Sequence, residues 1–466
     1  MDSFFWTIAE FARNYRERRI SPREVVELHL RRVQGLQPSL NAFVHVDEEG
    51  ARAAARAAED ALLRGNPLGP LHGIPMTVKS CIDVANWPCP AGSLTRKDYR
   101  PSGDAPMVQR LRDAGAILLG NSNTPEFLMA YETDNRVSGG TSNPWSAAHS
   151  SGGSSGGEAA AIGAGCSAGG IGSDGGGSIR VPAHFCGICG LKPTPGRVPA
   201  TGHFPAGNSA FGWLGVAGPM ARTASDVRAL FEVLRGVDPG DALSADVALS
   251  ALAERPLHEI RIGIVESPAL RATPETQQAV QKAARLLEES GHPVEFMRLA
   301  HLERMLELWW FFFGTVIGEL FRGLVRGQER LLSPVFLEYM EAAKTREEIS
   351  MQKFVGMCVA RDAERERILR TMRDVPVLLS PVSAAPAFRH GQGTYHGENG
   401  YLQAMRHSQW LNLTGFPGMT VPMAFSPDGL PIGVQLIGRP NEDELLLRIA
   451  ERLEEARGPW PAPNLA

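Results

Sequence analysis

The sequence predicts an α/β fold, because amphipathic helix patterns alternate with short apolar runs along most of the chain. Its 466 residues, of which 43% are hydrophobic and 21% are charged, are enough to bury a large core. Neither a polar linker nor an internal repeat divides the sequence. We therefore expect one large domain over residues 1–466, with a variable helical region at about 295–375.

Helix and strand signals follow one another in the first third of the chain. Ser21 and Glu24 have the spacing of a capping box, and Pro22 stands at the first helical position. The later segments are an Ala-rich helix at about 48–64, a short buried strand that ends at Lys79, a helix from an Asp104 cap to Gly115, and an apolar strand at 116–119. This order is typical of a parallel α/β sheet.

The same alternation returns after residue 220. The segments are a helix from a Thr223 cap to Leu234, a strand at 261–265, a helix from Thr273 to Gly291, a strand at 376–380, a hairpin of strands at 419–423 and 432–437, and a C-terminal helix capped by Asn441. Pro427, Asp428 and Gly429 supply the hairpin turn. Both halves of the chain therefore carry the α/β pattern.

An unusually aromatic run lies at 308–321. Glu319 interrupts the run, which is shorter than the about 20 apolar residues that a membrane-spanning helix needs. We therefore expect no transmembrane segment. The run fits a buried core helix and, equally well, one wall of an apolar substrate pocket, with membrane-surface contact as a third alternative. The sequence leaves these alternatives open.

Charge and cysteine usage narrow the classes of partner. A formal net charge of −4 and a pI near 6.3 give no basic field for nucleic acid or anionic membranes, so small neutral substrates fit better. The first 19 residues lack the pattern of a signal peptide, which predicts a cytoplasmic protein. The six cysteines are too few and too scattered for a disulfide framework, and the histidine and cysteine spacings indicate no metal site.

Two glycine-rich segments, at 151–157 and 172–180, carry the candidate chemistry. An Ala/Ile-rich segment at 159–168 separates them, so the glycines belong to a folded core, where they allow the backbone to approach a ligand. A nucleophile-elbow pattern at 152–156 follows no strong strand, and a dinucleotide pattern at 163–168 lies within a predicted helix. Neither glycine segment continues into a P-loop. We expect no nucleotide cofactor.

Four motifs resemble those of the amidase signature family. They are Gly73-Ile-Pro-Met-Thr-Val-Lys79, Gly152-Gly-Ser-Ser-Gly-Gly157, Asp174-Gly-Gly-Gly-Ser-Ile-Arg180 and Phe185-Cys-Gly-Ile-Cys-Gly-Leu-Lys-Pro-Thr194. Lys79 precedes Ser154 by 75 residues, and Ser154 precedes Ser178 by 24, as the family spaces its lysine, middle serine and nucleophile. The resemblance covers most of the chain, and the last motif is also similar to the fatty-acid amide hydrolase branch.

The resemblance implies a single large domain with a central, twisted, mixed and largely parallel sheet that helices cover on both faces. It implies amide hydrolysis through an acyl-enzyme on Ser178, with Ser154 and Lys79 as the proton relay, without a cofactor. The peptide before the middle serine, here Gly153–Ser154, is cis in the family. The resemblance also implies a set of substrate-binding residues, which are Leu128, Met129, Ser154, Gly175, Gly176, Gly177 and Ser178. The last four of these supply N–H groups to the oxyanion. Supporting roles fall on Ser155, Asp174 and Arg180.

The residues before Lys79 suit the role of a base. A serine hydroxyl is a weak nucleophile unless a neighbour removes its proton, and a lysine does so near neutral pH only where burial lowers its pKa. Ile74, Met76 and Val78 make the preceding segment apolar. A lone lysine at a strand end is more often solvated, but the spacing to the two serines favours the buried alternative.

Two positions depart from the family pattern: Ser80 stands where Asp is common, and Gly175 stands where Thr or Ile is common. They keep open the alternative of a catalytically silent ligand-binding protein. A second alternative within the same fold is the glutamine-hydrolysing A subunit of a tRNA-dependent amidotransferase, which resembles this chain in the core and against which the balanced charge argues. The aromatic run suits a small amide substrate with an apolar or aromatic acyl group. The sequence leaves open whether the protein forms a homodimer.

Overall fold

The structure, a computed structural model, describes residues 3–67, 69–248, 254–344, 349–395 and 400–465. The strands are β1 Phe43–Val46, β2 Pro75–Lys79, β3 Ile117–Ser122, β4 Ser142–Asn143, β5 Ser146–Ser150, β6 Gly169–Asp174, β7 Cys189–Lys192, β8 Val216–Ala221, β9 Ile262–Glu266, β10 Val294–Arg298, β11 Val377–Pro381, β12 Gly418–Phe425 and β13 Pro431–Gly438. The helices are α1 Ile8–Arg16, α2 Pro22–Leu40, α3 Glu48–Leu63, α4 Pro106–Asp113, α5 Gly156–Gly163, α6 Arg180–Cys186, α7 Ala224–Leu234, α8 Pro274–Glu289, α9 Leu302–Trp310, α10 Ile317–Leu324, α11 Pro334–Ala342, α12 Met351–Thr371, α13 Tyr401–Ala404, α14 Arg406–Thr414 and α15 Asp443–Arg457.

Eleven strands of the described residues form one sheet in the order β1-β3-β2-β6-β8-β7-β12-β13-β11-β9-β10. Neighbours are parallel in two blocks, β3-β2-β6 and β11-β9-β10. Between these blocks, and at β1, they are antiparallel. The predicted α/β class and mixed sheet are confirmed, and the expected parallel pairing is found in the two blocks. β4 and β5 form a separate ladder.

The sheet is covered on both faces where it carries the candidate chemistry. Successive residues of a strand point to opposite faces, yet every residue of β2, β3, β6 and β8 is buried. β2 and β6 are parallel neighbours, so their carboxyl ends meet at the same edge of the sheet. Lys79 and Asp174, the last residues of these strands, therefore lie close together inside the protein.

Several capping and turn signals of the sequence are confirmed. Ser21 and Glu24 form both hydrogen bonds of the capping box at the start of α2, and the Thr223 hydroxyl accepts the Asp226 N–H at the start of α7. The predicted hairpin is formed by β12 and β13, which pair antiparallel. These features depend on residues within a few positions of one another, which is why the local pattern predicts them.

Asp104 and Asn441 do not cap helices, so these two predictions are wrong. The Asp104 carboxylate accepts the Ala85 N–H at 2.7 Å and pairs with Arg112 at 2.8 Å, so it does not reach the start of α4. Asn441 has a left-handed backbone, with φ at 66°, and its N–H donates to Thr194 Oγ1 at 2.9 Å. The Asp104 carboxylate is thus taken up by other partners, and the N-cap position of α15 is occupied by Glu442 instead of Asn441.

The aromatic run spans the end of α9, a π-helical turn at Phe311–Val316 and the start of α10. Most of its aromatic side chains are buried. Residues 345–348, which belong to the region expected to be variable and helical, lie outside the described residues. Among the helices that the structure describes, none combines the length and apolar character that crossing a bilayer requires.

Candidate active site

Lys79 ends β2 with its amine inside the protein. The side chain is fully buried. Nζ donates to the hydroxyls of Ser154, Ser155 and Ser173 at 2.6, 2.9 and 3.1 Å. A lysine ammonium has three N–H donors, so the three serines match its full hydrogen-bonding capacity.

Burial lowers the pKa of the Lys79 amine to about 8, below its ordinary value of 10.5. The neighbouring Cys81, Asp174 and Glu158 act in the opposite direction, but the loss of solvation of the charged amine outweighs them. Near neutral pH a fraction of the molecules therefore carries an uncharged amine. An uncharged amine can accept a proton from a hydroxyl.

Ser154 and Ser178 lie on two loops that meet beside this amine. The Gly153–Ser154 peptide is cis, and Thr124 Oγ1 donates to the Ser154 carbonyl at 2.7 Å. The Ser155 N–H donates to the Ser178 carbonyl at 3.1 Å, which joins the two loops. Ser178 is 8% exposed and Ser154 is 1% exposed, so Ser178 lies nearer to solvent. In the described part of the chain, no hydrogen bond joins the two hydroxyls.

Asp174 and Arg180 form an ion pair in which both side chains are fully buried. Arg180 Nε and Nη2 each donate to the Asp174 carboxylate at 3.0 Å. Burial acts to raise the pKa of Asp174, but the charge and hydrogen bonds of Arg180 dominate and hold that pKa well below its usual range. The carboxylate also accepts the backbone N–H groups of Gly177 at 2.7 Å and Ile179 at 3.0 Å. The ion pair therefore fixes the loop that carries Ser178.

The glycine loop, residues 175–177, connects β6 to Ser178. Gly177 has φ at 123°, a backbone conformation that side chains other than glycine rarely adopt. Its N–H, which the sequence assigns to an oxyanion, instead donates to Asp174. The N–H groups of Gly176 and Ser178 donate to no acceptor among the residues that the structure describes. These two donors are therefore available to a bound oxyanion.

The aromatic run belongs to the core and also contacts the glycine loop. Trp309 Nε1 donates to the Gly175 carbonyl at 3.1 Å. A β-carbon added at Gly175 would lie 3.2 Å from the Phe211 ring and 3.5 Å from the Phe313 ring. The burial of the run agrees with a core helix, and the pocket-wall alternative stays a prediction. Glycine at position 175 leaves room for these rings, which gives a physical reason for one of the departures from the family pattern.

Leu128 and Met129 are buried in the segment that leads to Tyr131. Leu128 has a left-handed backbone, with φ at 69°, and the Met129 carbonyl accepts the Tyr395 hydroxyl at 2.5 Å. The backbone of this segment packs against Gly153, because a β-carbon there would meet the Ala130 and Tyr131 main chain. The segment therefore adjoins the site, although within the described part of the chain neither side chain bonds to Ser178.

Four residues take part in the site without an individual role in the sequence analysis, although one of them, Trp309, belongs to the aromatic run at 308–321. They are Ser173, Tyr131, Trp309 and Asn412, which contact Lys79, Gly176, Gly175 and Asp174 respectively. Of the four, Ser173 was the easiest to predict from the sequence, because it directly precedes Asp174 on a strand. The other three come from distant parts of the chain. The described residues include no cluster of three or more His, Cys, Asp or Glu side chains that could hold a metal ion.

A buried amine joined to a serine hydroxyl, next to a second serine on a glycine loop, is an arrangement that suits acyl transfer. The model of the amidase family matches residues 24–447 of this chain. The chain belongs to the amidase family. It is an amide-hydrolysing enzyme.

Relatives of two kinds are similar over nearly the whole chain. The A subunit of glutamyl-tRNA(Gln) amidotransferase from Synechococcus sp. (strain CC9605) is 32% identical over 98% of this chain and 97% of its own length. Indoleacetamide hydrolase from Bradyrhizobium diazoefficiens is 33% identical over 97% of this chain and 87% of its own. The structure of a bacterial aryl acylamidase of the amidase signature family has a TM-score of 0.86 and 28% identity, over 98% of this chain and 97% of that one.

Replacing Arg180 with methionine should leave the Asp174 carboxylate buried without its cation. We expect the free energy of unfolding to fall by about 3–5 kcal/mol, the usual cost of breaking a buried ion pair on one side. Chemical denaturation followed by tryptophan fluorescence measures the change. As a control, Arg228→Met removes a partly exposed pair with Glu451, which should cost about 1 kcal/mol or less. Equal, small losses in the two variants would contradict the importance of the buried pair.

Proposed function

We propose that this protein hydrolyses a small carboxylic amide through an acyl-enzyme on Ser178, with Ser154 and Lys79 as the proton relay. The observation that carries the proposal is the 2.6 Å hydrogen bond from Lys79 Nζ to Ser154 Oγ in a buried site where the amine pKa is lowered. Membership of the amidase family supports it.

The reaction begins with an uncharged Lys79, which accepts the proton of Ser154 while Ser154 accepts the proton of Ser178. Ser178 Oγ attacks the amide carbonyl carbon. The N–H groups of Gly176 and Ser178 stabilise the oxyanion that forms, and Gly175 precedes them in the loop. The tetrahedral intermediate collapses when its carbon–nitrogen bond breaks, which leaves the acyl group on Ser178. The relay returns the proton to the leaving amine. Water then attacks the acyl-enzyme by the same route, which releases the carboxylic acid and restores the Ser178 hydroxyl.

Substrate binding brings the hydroxyls of Ser154 and Ser178 into a hydrogen bond. In this proposal, rotation of a serine side chain completes the contact, and the hydrogen bond from the Ser155 N–H to the Ser178 carbonyl already joins the two loops. Catalytic hydrogen bonds are often completed only in the complex with substrate. Ser155 keeps the amine and the loop together, and Asp174 with Arg180 fixes the loop itself.

The substrate carries an apolar or aromatic acyl group. Phe211, Trp309 and Phe313 lie against the glycine loop and give it an apolar, aromatic boundary. Leu128 and Met129 complete the pocket from the other segment that adjoins Gly153. The names of two relatives, an indoleacetamide hydrolase and an aryl acylamidase, support aromatic substrates. In this proposal the chain is one domain, and α9 to α12 form its variable pocket region.

A second candidate is the A subunit of a tRNA-dependent amidotransferase. The similarity to that subunit of glutamyl-tRNA(Gln) amidotransferase, over almost the full length of both chains, favours it. Such a protein would release ammonia from glutamine and would act together with partner subunits. Ammonia release from glutamine that appears only when partner subunits are added would select this candidate. Light scattering of the purified chain distinguishes a monomer from a homodimer or a complex with another protein.

Replacing Ser178 with alanine should abolish turnover, because the acyl acceptor is lost. The measurement is p-nitroaniline release from a panel of aliphatic and aryl acyl anilides, together with ammonia release from the matching primary amides. We expect the loss to exceed about 10³-fold, as for a removed nucleophile. Ser225→Ala, at an exposed position, is the matched control and should keep full activity. Undiminished turnover by Ser178→Ala would sink the proposed nucleophile, and wild-type inactivity on every amide would leave the ligand-binding alternative.

The kcat/KM of this turnover should rise with pH through about 8 and level off above it. Lys79 must be uncharged to act as the base, and its pKa is lowered to about 8 by burial. A protonated amine below that pH cannot accept the Ser154 proton, so activity falls on the acid side. Initial rates between pH 6 and 10 with an uncharged amide measure the profile. A limb that continues to rise up to the ordinary lysine value would contradict a buried base.

A further inference from the structure

Two side chains from distant segments hold the carbonyl groups of the glycine loop. Trp309 Nε1 donates to the Gly175 carbonyl at 3.1 Å, and the Tyr131 hydroxyl donates to the Gly176 carbonyl at 2.6 Å. Both side chains are buried, with 1% and 6% exposure. A buried hydrogen bond of this kind resists exchange with water and constrains the orientation of the group that accepts it.

The geometry of the peptide unit makes these bonds relevant to the oxyanion. The peptides after Gly175 and Gly176 are both trans. In a trans peptide the C=O and the following N–H point in opposite directions and lie in one plane. Holding the Gly175 carbonyl at Trp309 therefore directs the Gly176 N–H to the opposite side of the loop. That N–H donates to no acceptor among the described residues.

The next peptide unit is held at both ends. Tyr131 holds its carbonyl, that of Gly176, and the Asp174 carboxylate accepts its N–H, that of Gly177, at 2.7 Å. This unit cannot rotate without the loss of two buried hydrogen bonds. It therefore fixes the plane from which the chain continues to Ser178.

We propose that Trp309 and Tyr131 are positioning residues, which orient the peptides of the glycine loop so that the Gly176 and Ser178 N–H groups meet the oxyanion. The inference rests on the proposed amide hydrolysis. Neither side chain donates to the oxyanion itself. Trp309 lies on α9, and its ring stacks on that of Phe313 with the centroids 4.6 Å apart. A movement of the proposed pocket wall would therefore also move the peptides whose N–H groups meet the oxyanion. A helix of the variable region thus sets the catalytic geometry.

The test replaces Trp309 with phenylalanine and Tyr131 with phenylalanine, since both changes keep a ring and remove the donor. We expect kcat to fall about 10- to 100-fold in each variant, because a displaced oxyanion donor weakens transition-state stabilisation. KM should stay within about twofold, and the pH profile should keep its midpoint, because Lys79 is untouched. An aryl trifluoromethyl ketone, which forms a tetrahedral adduct with a serine, should bind more weakly by the same factor as kcat.

Two variants control for the loss of packing and of a buried hydrogen bond. Trp145→Phe makes the same substitution outside the aromatic run and removes an indole N–H that donates to the Cys186 carbonyl at 2.8 Å. Tyr15→Phe removes a hydroxyl that donates to the Gly73 carbonyl at 2.8 Å, two residues before β2 begins at Pro75. Both controls should keep the wild-type kcat. A change in KM alone for Trp309→Phe would make it only a pocket wall, and an unchanged ketone affinity would overturn the positioning role.

A crystal structure of Trp309→Phe separates this inference from the proposed function. Rotation of the Gly175–Gly176 peptide in the variant supports positioning, whether or not an amide substrate has been found. An unrotated peptide in the variant overturns it. Failure of the proposed function gives a different result, because the wild-type protein would then show no turnover that depends on Ser178.

Discussion

The burial of one amine constrains the rest of the site. Lys79 ends a strand whose two neighbours in the sheet are also buried, so bulk water does not solvate its amine. A buried amine is stable only with hydrogen-bonding partners, or without its charge. Three serines supply the partners, and burial lowers the pKa of the amine to about 8, so that a fraction of the molecules carries it uncharged near neutral pH. In the proposed mechanism, the burial that requires the serines is also what allows the amine to act as a base.

The strand β6 connects the base to the glycine loop. Its last two residues, Ser173 and Asp174, reach different partners, because successive side chains of a strand point to opposite faces. Ser173 accepts a hydrogen bond from Lys79, and Asp174 binds Arg180 and the backbone of the glycine loop. A shift of this strand end would therefore disturb the partners of Lys79 and the glycine loop together. In the proposed mechanism, this shared anchor is the reason for a fully buried ion pair next to the reacting groups.

The sequence predicted what depends on neighbouring residues and missed what depends on tertiary contacts. The box at Ser21 and the cap at Thr223 were confirmed because each bond spans three residues. Asp104 failed as a cap because its carboxylate binds Ala85 and Arg112 instead. Family spacing gave Lys79, Ser154 and Ser178, and the structure places these residues together. It could not give Trp309, which reaches Gly175 across 134 residues of sequence and lies in a region of variable helices.

The pKa of Lys79 tests the central claim most directly. The chain has only six lysines, so selective isotope labelling at the side-chain amine gives a simple NMR titration. Lys192 is also buried, and burial lowers its pKa to about 7, so spectra of Lys79→Met and Lys192→Met are needed to assign the two signals. We predict a signal that titrates near 8 and is lost only in Lys79→Met. A Lys79 signal that titrates near 10.5, like an exposed lysine, would contradict the role of a buried base.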